Sequence, residues 1–115
     1  MTLKELTDIQ RQFDQQHESD FPWDITISQD NIPMLGFTLL ALTGEVGEVT
    51  NLVKKIWRGD CSLQEKRADI QEEIADVFSY LLKLTNQLDF DLEQAYLQKN
   101  KKNYERFAKY AREEE

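Results

Sequence analysis

Two pairs of acidic residues have a spacing that could support chemistry: Glu45 with Glu48, and Glu73 with Asp76. Residues three positions apart share one face of an α-helix, so each pair would present two carboxylates side by side. Carboxylate oxygens are ligands that Mg²⁺ and Mn²⁺ prefer. Four carboxylates close together would repel one another unless a cation lay among them. The four residues are therefore candidate ligands of a divalent metal ion.

The order of the helices predicts that the two acidic pairs meet. Apolar residues recur at helical spacing on both sides of a short connection at residues 58–62. A short connection makes two helices antiparallel neighbours. Glu48 is then level with Glu73, and Glu45 is level with Asp76, because both pairs are centred on the same point of the connection. An exposed acidic face would explain one such pair, but two pairs in mirrored register favour a metal site.

The remaining pattern predicts an all-α fold, an antiparallel helical hairpin with flanking helices and no sheet. Thr2 with Glu5, and Ser62 with Glu65, have the capping-box spacing that starts helices. Pro33 suits the first turn of another helix. Four helices are predicted to begin near residues 3, 33, 63 and 91, the first ending near residue 17 and the last near residue 110.

These helices are predicted to form one domain over residues 1–115. Its parts are an N-terminal helix and an ordered loop at 1–32, the helices that carry the acids at 33–110, and a frayed tail at 111–115. The loop, at 18–31, is expected to contain a short extended or 3₁₀ piece. The first helix is expected to face the core through an apolar stripe: Leu3, Leu6, Ile9 and Phe13.

Composition excludes several classes of protein. The chain has 115 residues and a net charge of −8, which disfavours binding to a nucleic acid polymer. Cys61 is the single cysteine and His17 the single histidine, so no internal disulfide is possible and neither a zinc site nor a di-iron site of Glu-x-x-His pairs is expected. No uninterrupted apolar run approaches the roughly 18 residues of a membrane span. The sequence therefore predicts a cytoplasmic protein without a membrane partner.

The acidic motifs also carry a family resemblance. Gly-Glu-Val-Gly-Glu-Val at 44–49 and Glu-Glu-Ile-Ala-Asp-Val at 72–77 resemble the MazG-like, all-α nucleoside triphosphate pyrophosphohydrolases, which are related to dCTP pyrophosphatases. The family pattern is Glu-x-x-Glu, a variable helix–turn–helix gap and Glu-x-x-Asp. The predicted last helix is similar to the family's as well, with Lys99, Asn103 and Arg106 at the same spacing. The resemblance covers about residues 33–107.

The resemblance implies a reaction. The four acids would hold Mg²⁺, or Mn²⁺, and a water positioned by the metal would attack the α-phosphorus of a nucleoside triphosphate. The products would be the nucleoside monophosphate and pyrophosphate. One of the glutamates would take the proton from water, and the sequence does not say which. The expected substrate is a nucleotide or deoxynucleotide such as dCTP, or one with a modified base, and the expected role is sanitation of the nucleotide pool.

Further residues are candidates for contacts with the substrate. Lys99, Asn103 and Arg106 lie on one stripe of the last helix and could clamp phosphates, although a solvated basic stripe would look the same. Lys54 lies near the end of its helix, where a positive charge interacts favourably with the helix dipole. The second interpretation is that Lys54 contacts a phosphate of the substrate. Trp23 lies in the region from which related dCTP pyrophosphatases hold the base with aromatic residues. The alternative interpretation is that Trp23 packs into the hydrophobic core.

Two other functions stay open. One is a non-catalytic helical module for oligomerisation or interaction, and the other is a neighbouring enzyme branch such as phosphoribosyl-ATP pyrophosphatase or dimeric dUTPase. A homodimer or homotetramer is expected, because the mirrored register gathers an apolar patch at one end of the hairpin. The alternative is a compact monomer in which the loop at 18–31 folds over this patch. The patch is contributed by both long helices: Leu35, Phe37, Leu39, Leu40 and Leu42, with Phe78, Tyr80, Leu81 and Leu82.

Overall fold

The computed structural model describes residues 1–18 and 21–112 of the chain. Four α-helices account for most of them: α1 (Leu3–Gln16), α2 (Ile32–Trp57), α3 (Leu63–Leu88) and α4 (Leu92–Arg106). Two short 3₁₀ helices, Gln29–Asn31 and Ala108–Tyr110, lie before α2 and after α4. These ranges contain no strand, and the all-α prediction is confirmed.

Capping side chains set where α1, α3 and α4 begin. The hydroxyls of Thr2 and Ser62 each accept the backbone N–H of a glutamate three residues later, and that glutamate bonds back, so both predicted capping boxes are confirmed. The Asp91 carboxylate accepts the backbone N–H of Gln94 at 3.0 Å and starts α4. The α-helical part of the last helix ends at Arg106, earlier than expected, and the chain then tightens into the second 3₁₀ helix. Of the predicted frayed tail, residues 113–115 lie outside the described residues.

α2 and α3 form a long hairpin of two 26-residue helices. The connection turns at Gly59, whose φ of +86° is a left-handed conformation that glycine adopts without a steric penalty. The Arg58 guanidinium then binds the Asp60 carboxylate at 2.6 Å across the turn. Because this connection is short and ordered, it fixes the register of the two helices that carry the acids.

α1 packs against the C-terminal half of α3 through polar groups. The Asn86 amide donates to the carbonyl oxygen of Thr7 at 2.9 Å, and the Arg11 guanidinium donates to the Asn86 side chain at 3.1 Å. Asp14 forms an ion pair with Lys83, and both side chains are buried. Hydrogen bonds and an ion pair between polar side chains therefore hold α1 against α3.

The expected core stripe of α1 is therefore partly wrong. Ile9 and Phe13 are 52% and 53% exposed, whereas Thr7 and Asp14 are buried. The buried face of the helix is rotated from the apolar stripe toward the residues that can bond with α3. Helical periodicity located the helix but not the face that this single chain buries.

Much of the apolar surface of the hairpin lies outside the core of the chain. Among the described residues, Leu82 is the one hydrophobic residue that is buried, and Thr38 is the one buried residue of α2. Leu40 is 73% exposed and Trp57 is 88% exposed. A domain of this size normally buries most of the surface that its unfolded chain exposes. The hairpin therefore leaves an apolar face without a partner.

One helical segment is long and apolar enough, by length and composition alone, to cross a membrane. This segment, Gln29–Trp57, has a mean hydropathy of 1.3 in its most apolar window. The window average is a looser criterion than the uninterrupted apolar run that the sequence lacks. Core helices of soluble proteins also meet it, and this helix carries Glu45, Glu48, Lys54 and Lys55.

Candidate metal centre and substrate clefts

The carboxylates of the two acidic pairs come together midway along the hairpin. Glu45 from α2, with Glu73 and Asp76 from α3, each place one oxygen within 4.8 Å of the others. Glu48 lies beside this trio, since it shares a cleft wall with Glu73 and its carboxylate is close enough to perturb that of Glu73. The structure thus brings all four residues into one cluster, here called the carboxylate cluster.

Two oxygens of the cluster are buried without a hydrogen-bond partner among the described residues: Oε2 of Glu45 and Oε2 of Glu73. A buried carboxylate oxygen without a partner is costly, because it has lost its water and gained nothing in return. A divalent cation between the helices would satisfy both oxygens. The donor set, made only of carboxylates, fits Mg²⁺ or Mn²⁺.

The acids also perturb one another's titration. A hydrogen bond to Glu48, with partial burial and the charges of Glu48, Asp76 and Glu45, raises the pKa of Glu73 to about 7. Burial is the largest cause that raises the pKa of Glu45, followed by the charges of Glu48 and Asp76. Both shifts have the sign expected for crowded carboxylates that lack a positive neighbour.

A cleft of about 390 Å³ opens from the carboxylate cluster toward α1, and we call it the α1 cleft. Glu45 and Asp76 form its inner end. Its walls come from α1 and from the second half of α3: Gln10, Phe13, Ser79, Tyr80 and Lys83. The cleft is within the size range of small-ligand pockets and combines exposed aromatic surface with a few polar groups.

An aromatic cluster borders the α1 cleft. The Trp23 ring meets the Tyr80 ring edge-on, with centroids 5.6 Å apart, and Phe21 stacks on Phe37 at 4.5 Å. The loop that carries Trp23 is held by Gln87, whose side-chain amide donates to the Trp23 carbonyl oxygen at 3.0 Å. Trp23 is half-buried, so it serves as packing for the loop and also lies near the cleft.

A second cleft, of about 280 Å³, lies on the other side of the carboxylate cluster, toward the hairpin turn, and we call it the turn cleft. Glu48 and Glu73 line it with two further acids, Asp69 and Glu72. Its one basic residue is Lys55, and Asn51 is also in its wall.

Lys54, the lysine singled out from the sequence, lies outside the turn cleft and outside the α1 cleft. Spacing would have favoured Lys55, which follows Glu48 by seven residues and so shares its helix face.

The polar residues predicted on the last helix lie elsewhere in this chain. α4 packs against α1, and neither cleft lined by the carboxylate cluster includes a residue of α4. Asn103 borders a separate aromatic pocket with Tyr104, Phe107 and Tyr110. Lys99 and Arg106 are exposed. A single chain therefore does not bring these three residues to the carboxylates.

Sequence reasoning missed the ion pair at the α1 cleft, which joins Lys83 in the cleft wall to Asp14 behind it. Lys83 follows Asp76 by seven residues and is a lone lysine in an apolar stretch, Tyr-Leu-Leu-Lys-Leu, which was the available signal. Asp14 gave no signal, because an acid on an amphipathic helix is ordinarily solvated.

Comparisons with known proteins show the family of the chain. Residues 37–110, more than half of the chain, match the family described as MazG nucleotide pyrophosphohydrolase domain. Gene 37 protein of Mycobacterium phage L5 is 45% identical over 62 residues, which are 52% of this chain and 54% of the phage protein. dCTP pyrophosphatase 1 of Mus musculus is 39% identical over 75 residues, 60% of this chain and 43% of the mouse protein. The bovine dCTP pyrophosphatase 1 is also 39% identical.

The chain thus spans about half the length of the curated relatives that it matches. No solved structure matches it significantly.

Proposed function

Because this chain belongs to the MazG nucleotide pyrophosphohydrolase family, we propose that it hydrolyses a nucleoside triphosphate between the α- and β-phosphates. The products are the nucleoside monophosphate and pyrophosphate. The observation that carries the proposal is the carboxylate cluster, with its two unpaired oxygens, between two clefts.

The proposed metal ligands are Glu45, Glu48, Glu73 and Asp76. Bound Mg²⁺, or Mn²⁺, neutralises charge on the phosphates and makes a nearby water more acidic. Glu48 lies outside the trio of closest carboxylates, so it is the least engaged of the four. We assign to it a second role as acceptor of the proton from the attacking water.

The two clefts define the orientation that we propose for the bound substrate. We place the phosphates in the turn cleft, where Lys55 and Asn51 can donate hydrogen bonds and a bound divalent cation would offset the four acids of the wall. The nucleoside suits the α1 cleft, where Phe13 and Tyr80 offer flat apolar surface and Trp23 lies near. The scissile bond then lies over the carboxylate cluster between them.

A deoxynucleotide such as dCTP, or one with a modified base, is the proposed substrate. Relatives named dCTP pyrophosphatase 1 support dCTP, and the size of the α1 cleft is compatible with a single base. The proposed role is removal of unwanted nucleotides from the pool, in the cytoplasm, where such substrates are made and used. The net charge of −8 disfavours a nucleic acid polymer as substrate.

We further propose that the active form is a homodimer or homotetramer. The uncovered apolar face of α2, which includes Phe37, Leu39 and Leu40, supports this assembly. So does the position of α4, which holds its polar residues away from the carboxylates of its own chain. In an assembly, Lys99, Asn103 and Arg106 would serve the phosphates of a neighbouring chain's substrate.

The test is a screen of canonical and modified nucleoside triphosphates with Mg²⁺, with products separated by ion-exchange chromatography. We expect equal amounts of monophosphate and pyrophosphate, and no reaction in excess chelator. Orthophosphate and nucleoside diphosphate would contradict the proposed bond cleavage. No hydrolysis of any substrate by an assembled protein would favour the non-catalytic module instead, and selective cleavage of dUTP would favour the dUTPase branch.

A further inference from the structure

Lys83 is a buried cation in the wall of the α1 cleft. Only 10% of its side chain is exposed, and its ammonium group pairs with Asp14, whose side chain is 2% exposed. Gln10 donates a second hydrogen bond to the Asp14 carboxylate at 3.0 Å, which fixes that partner from α1. A charge held so far from water is costly, and the ion pair offsets the cost only in part.

The Lys83 ammonium group has more N–H donors than the described residues supply with acceptors. A lysine has three N–H donors, and Asp14 is the one hydrogen-bond acceptor that contacts Nζ among the described residues. The other neighbours of Nζ are ring faces: the centroid of Trp23 at 4.8 Å and that of Tyr80 at 5.7 Å. Aromatic faces attract a cation but leave its N–H groups without a strong acceptor. Lys83 is therefore a partly satisfied donor beside an open cleft.

The position of Lys83 relative to the metal ligands indicates which part of a substrate it meets. It follows Asp76 by seven residues, two helical turns on the same face of α3, so it lies about 10 Å further along the helix. Lys55 and the turn cleft lie in the opposite direction. With phosphates at the carboxylate cluster, the sugar spans the interval and the base reaches the aromatic rings around Lys83.

We propose that Lys83, held in place by Asp14, determines specificity by donating a hydrogen bond to a carbonyl oxygen of the substrate's base. The proposal rests on the proposed function and adds a rule for its substrates: the base must carry a ring carbonyl, as cytosine, uracil and guanine do and adenine does not. A base with a carbonyl group gives the charged donor a short, strong hydrogen bond. A base without a carbonyl group displaces water from the donor and offers no acceptor in its place, so its binding is weaker. Asp14 is a positioning residue in this scheme, since it reaches the substrate only through Lys83.

The experiment compares the best substrate from the screen with a C-nucleoside analogue of the same shape, whose neutral aromatic ring carries C–F in place of each ring carbonyl. We expect the wild-type protein to favour the carbonyl substrate by at least about tenfold in kcat/KM. In Lys83→Met the preference should fall to within about threefold, through a higher KM for the carbonyl substrate and little change in kcat. Lys4→Met, the same change at an exposed site on α1 that lines neither cleft, should keep the preference.

Three measurements separate this role from a structural one. Lys83→Arg should retain most of the preference, because it keeps a charged donor. If Lys83→Met fails to fold by circular dichroism, the double variant Lys83→Met, Asp14→Asn removes both buried charges and replaces it in the comparison. Calorimetric binding of the two nucleoside monophosphates to wild-type protein needs no variant and should show the same preference.

Two results overturn the inference while leaving the proposed function intact. One is a wild-type preference below about threefold in hydrolysis and in binding. The other is a folded Lys83→Met, or double variant, whose preference equals that of wild type. A wild-type protein that hydrolyses no nucleoside triphosphate refutes the proposed function, and the base-recognition role falls with it.

Discussion

At the scale of single residues, Glu73 in the carboxylate cluster stays protonated to a higher pH than an ordinary glutamate when no metal is bound. The pKa of Glu73 is raised from 4.5 to about 7. Between these values the folded chain binds more protons than the unfolded chain, so this residue makes stability fall as pH rises from about 4.5 to 7. Above this range the folded state carries the full repulsion among the acids.

Glu73→Gln removes this pH dependence. In chelator, we expect the variant to unfold at a higher temperature than wild type at about pH 8 and to lose that advantage at about pH 5. The amide that replaces the carboxyl would still be able to donate to Glu48 and would carry no charge. Thermal unfolding followed by circular dichroism at the two pH values measures the difference, and an equal difference at both would contradict the assigned pKa.

The same cluster makes a prediction for activity. Glu48→Gln and Glu73→Gln should each lower kcat at least about a hundredfold, because each removes a carboxylate from the metal site. Both variants should stay folded, because each removes only like-charge repulsion. Glu105→Gln, an exposed acid on α4, is the control. Either variant turning over substrate at the wild-type rate would exclude that residue from the site.

Sequence could predict the acids of the site but not the cationic residue of the cleft. Glu45 and Asp76 are recognisable through a repeated spacing on two helices, and spacing is preserved when a helix forms. Lys83 and Asp14 are 69 positions apart, and they meet only because α1 lies along α3. A contact of that kind depends on packing, which no local pattern encodes.

At the scale of helices, the capping box at Ser62 sets where α3 begins. The Ser62 hydroxyl accepts the backbone N–H of Glu65 at 3.1 Å, and the Glu65 carboxylate accepts the backbone N–H of Ser62. Ser62→Ala should lower the free energy of unfolding by about 1 kcal/mol. Ser79→Ala, which removes a hydroxyl bonded to its own helix, is the matched control and should cost less. Urea titration of both variants gives the comparison.

The hairpin turn gives a second prediction at this scale. Gly59→Ala places a Cβ at a φ of +86°, where nothing lies within 4 Å, so the cost is one of backbone conformation alone. We expect a loss of about 1 kcal/mol in the free energy of unfolding. Gly44→Ala, a helical glycine also with open space around it, should cost nothing in the isolated chain. Equal losses for the two variants in urea titration would contradict a special role for Gly59.

Helix starts were predictable because a capping box is local in sequence. The buried face of α1 was not, and Ile9 shows why. Amphipathic periodicity assumes that the most apolar face meets the core, whereas α1 meets the polar end of α3, where Asn86 and Lys83 select Thr7 and Asp14. The apolar residues of α1 are left for other partners.

At the scale of the whole molecule, the exposed apolar face of α2 should be covered by further copies of the chain. Light scattering at micromolar concentration should give a mass that is two or four times the 13.6 kDa of one chain. Leu40→Lys places a charge on the most exposed leucine of α2 and should lower that mass. Gln12→Lys, on the exposed side of α1, should not. A wild-type mass near that of one chain would refute the assembly and the proposed contribution of α4 from a neighbour.

The two tryptophans lie in opposite environments, and this contrast has a use. Trp57, almost fully exposed at the end of α2, should emit at long wavelength and be quenched by iodide, whereas half-buried Trp23 should emit further to the blue. Assembly that covers α2 would shift the first emission, and a ligand entering the α1 cleft would perturb the second. The chain therefore carries two intrinsic fluorophores that report separately on association and on occupancy, and single Trp→Phe variants would assign each signal.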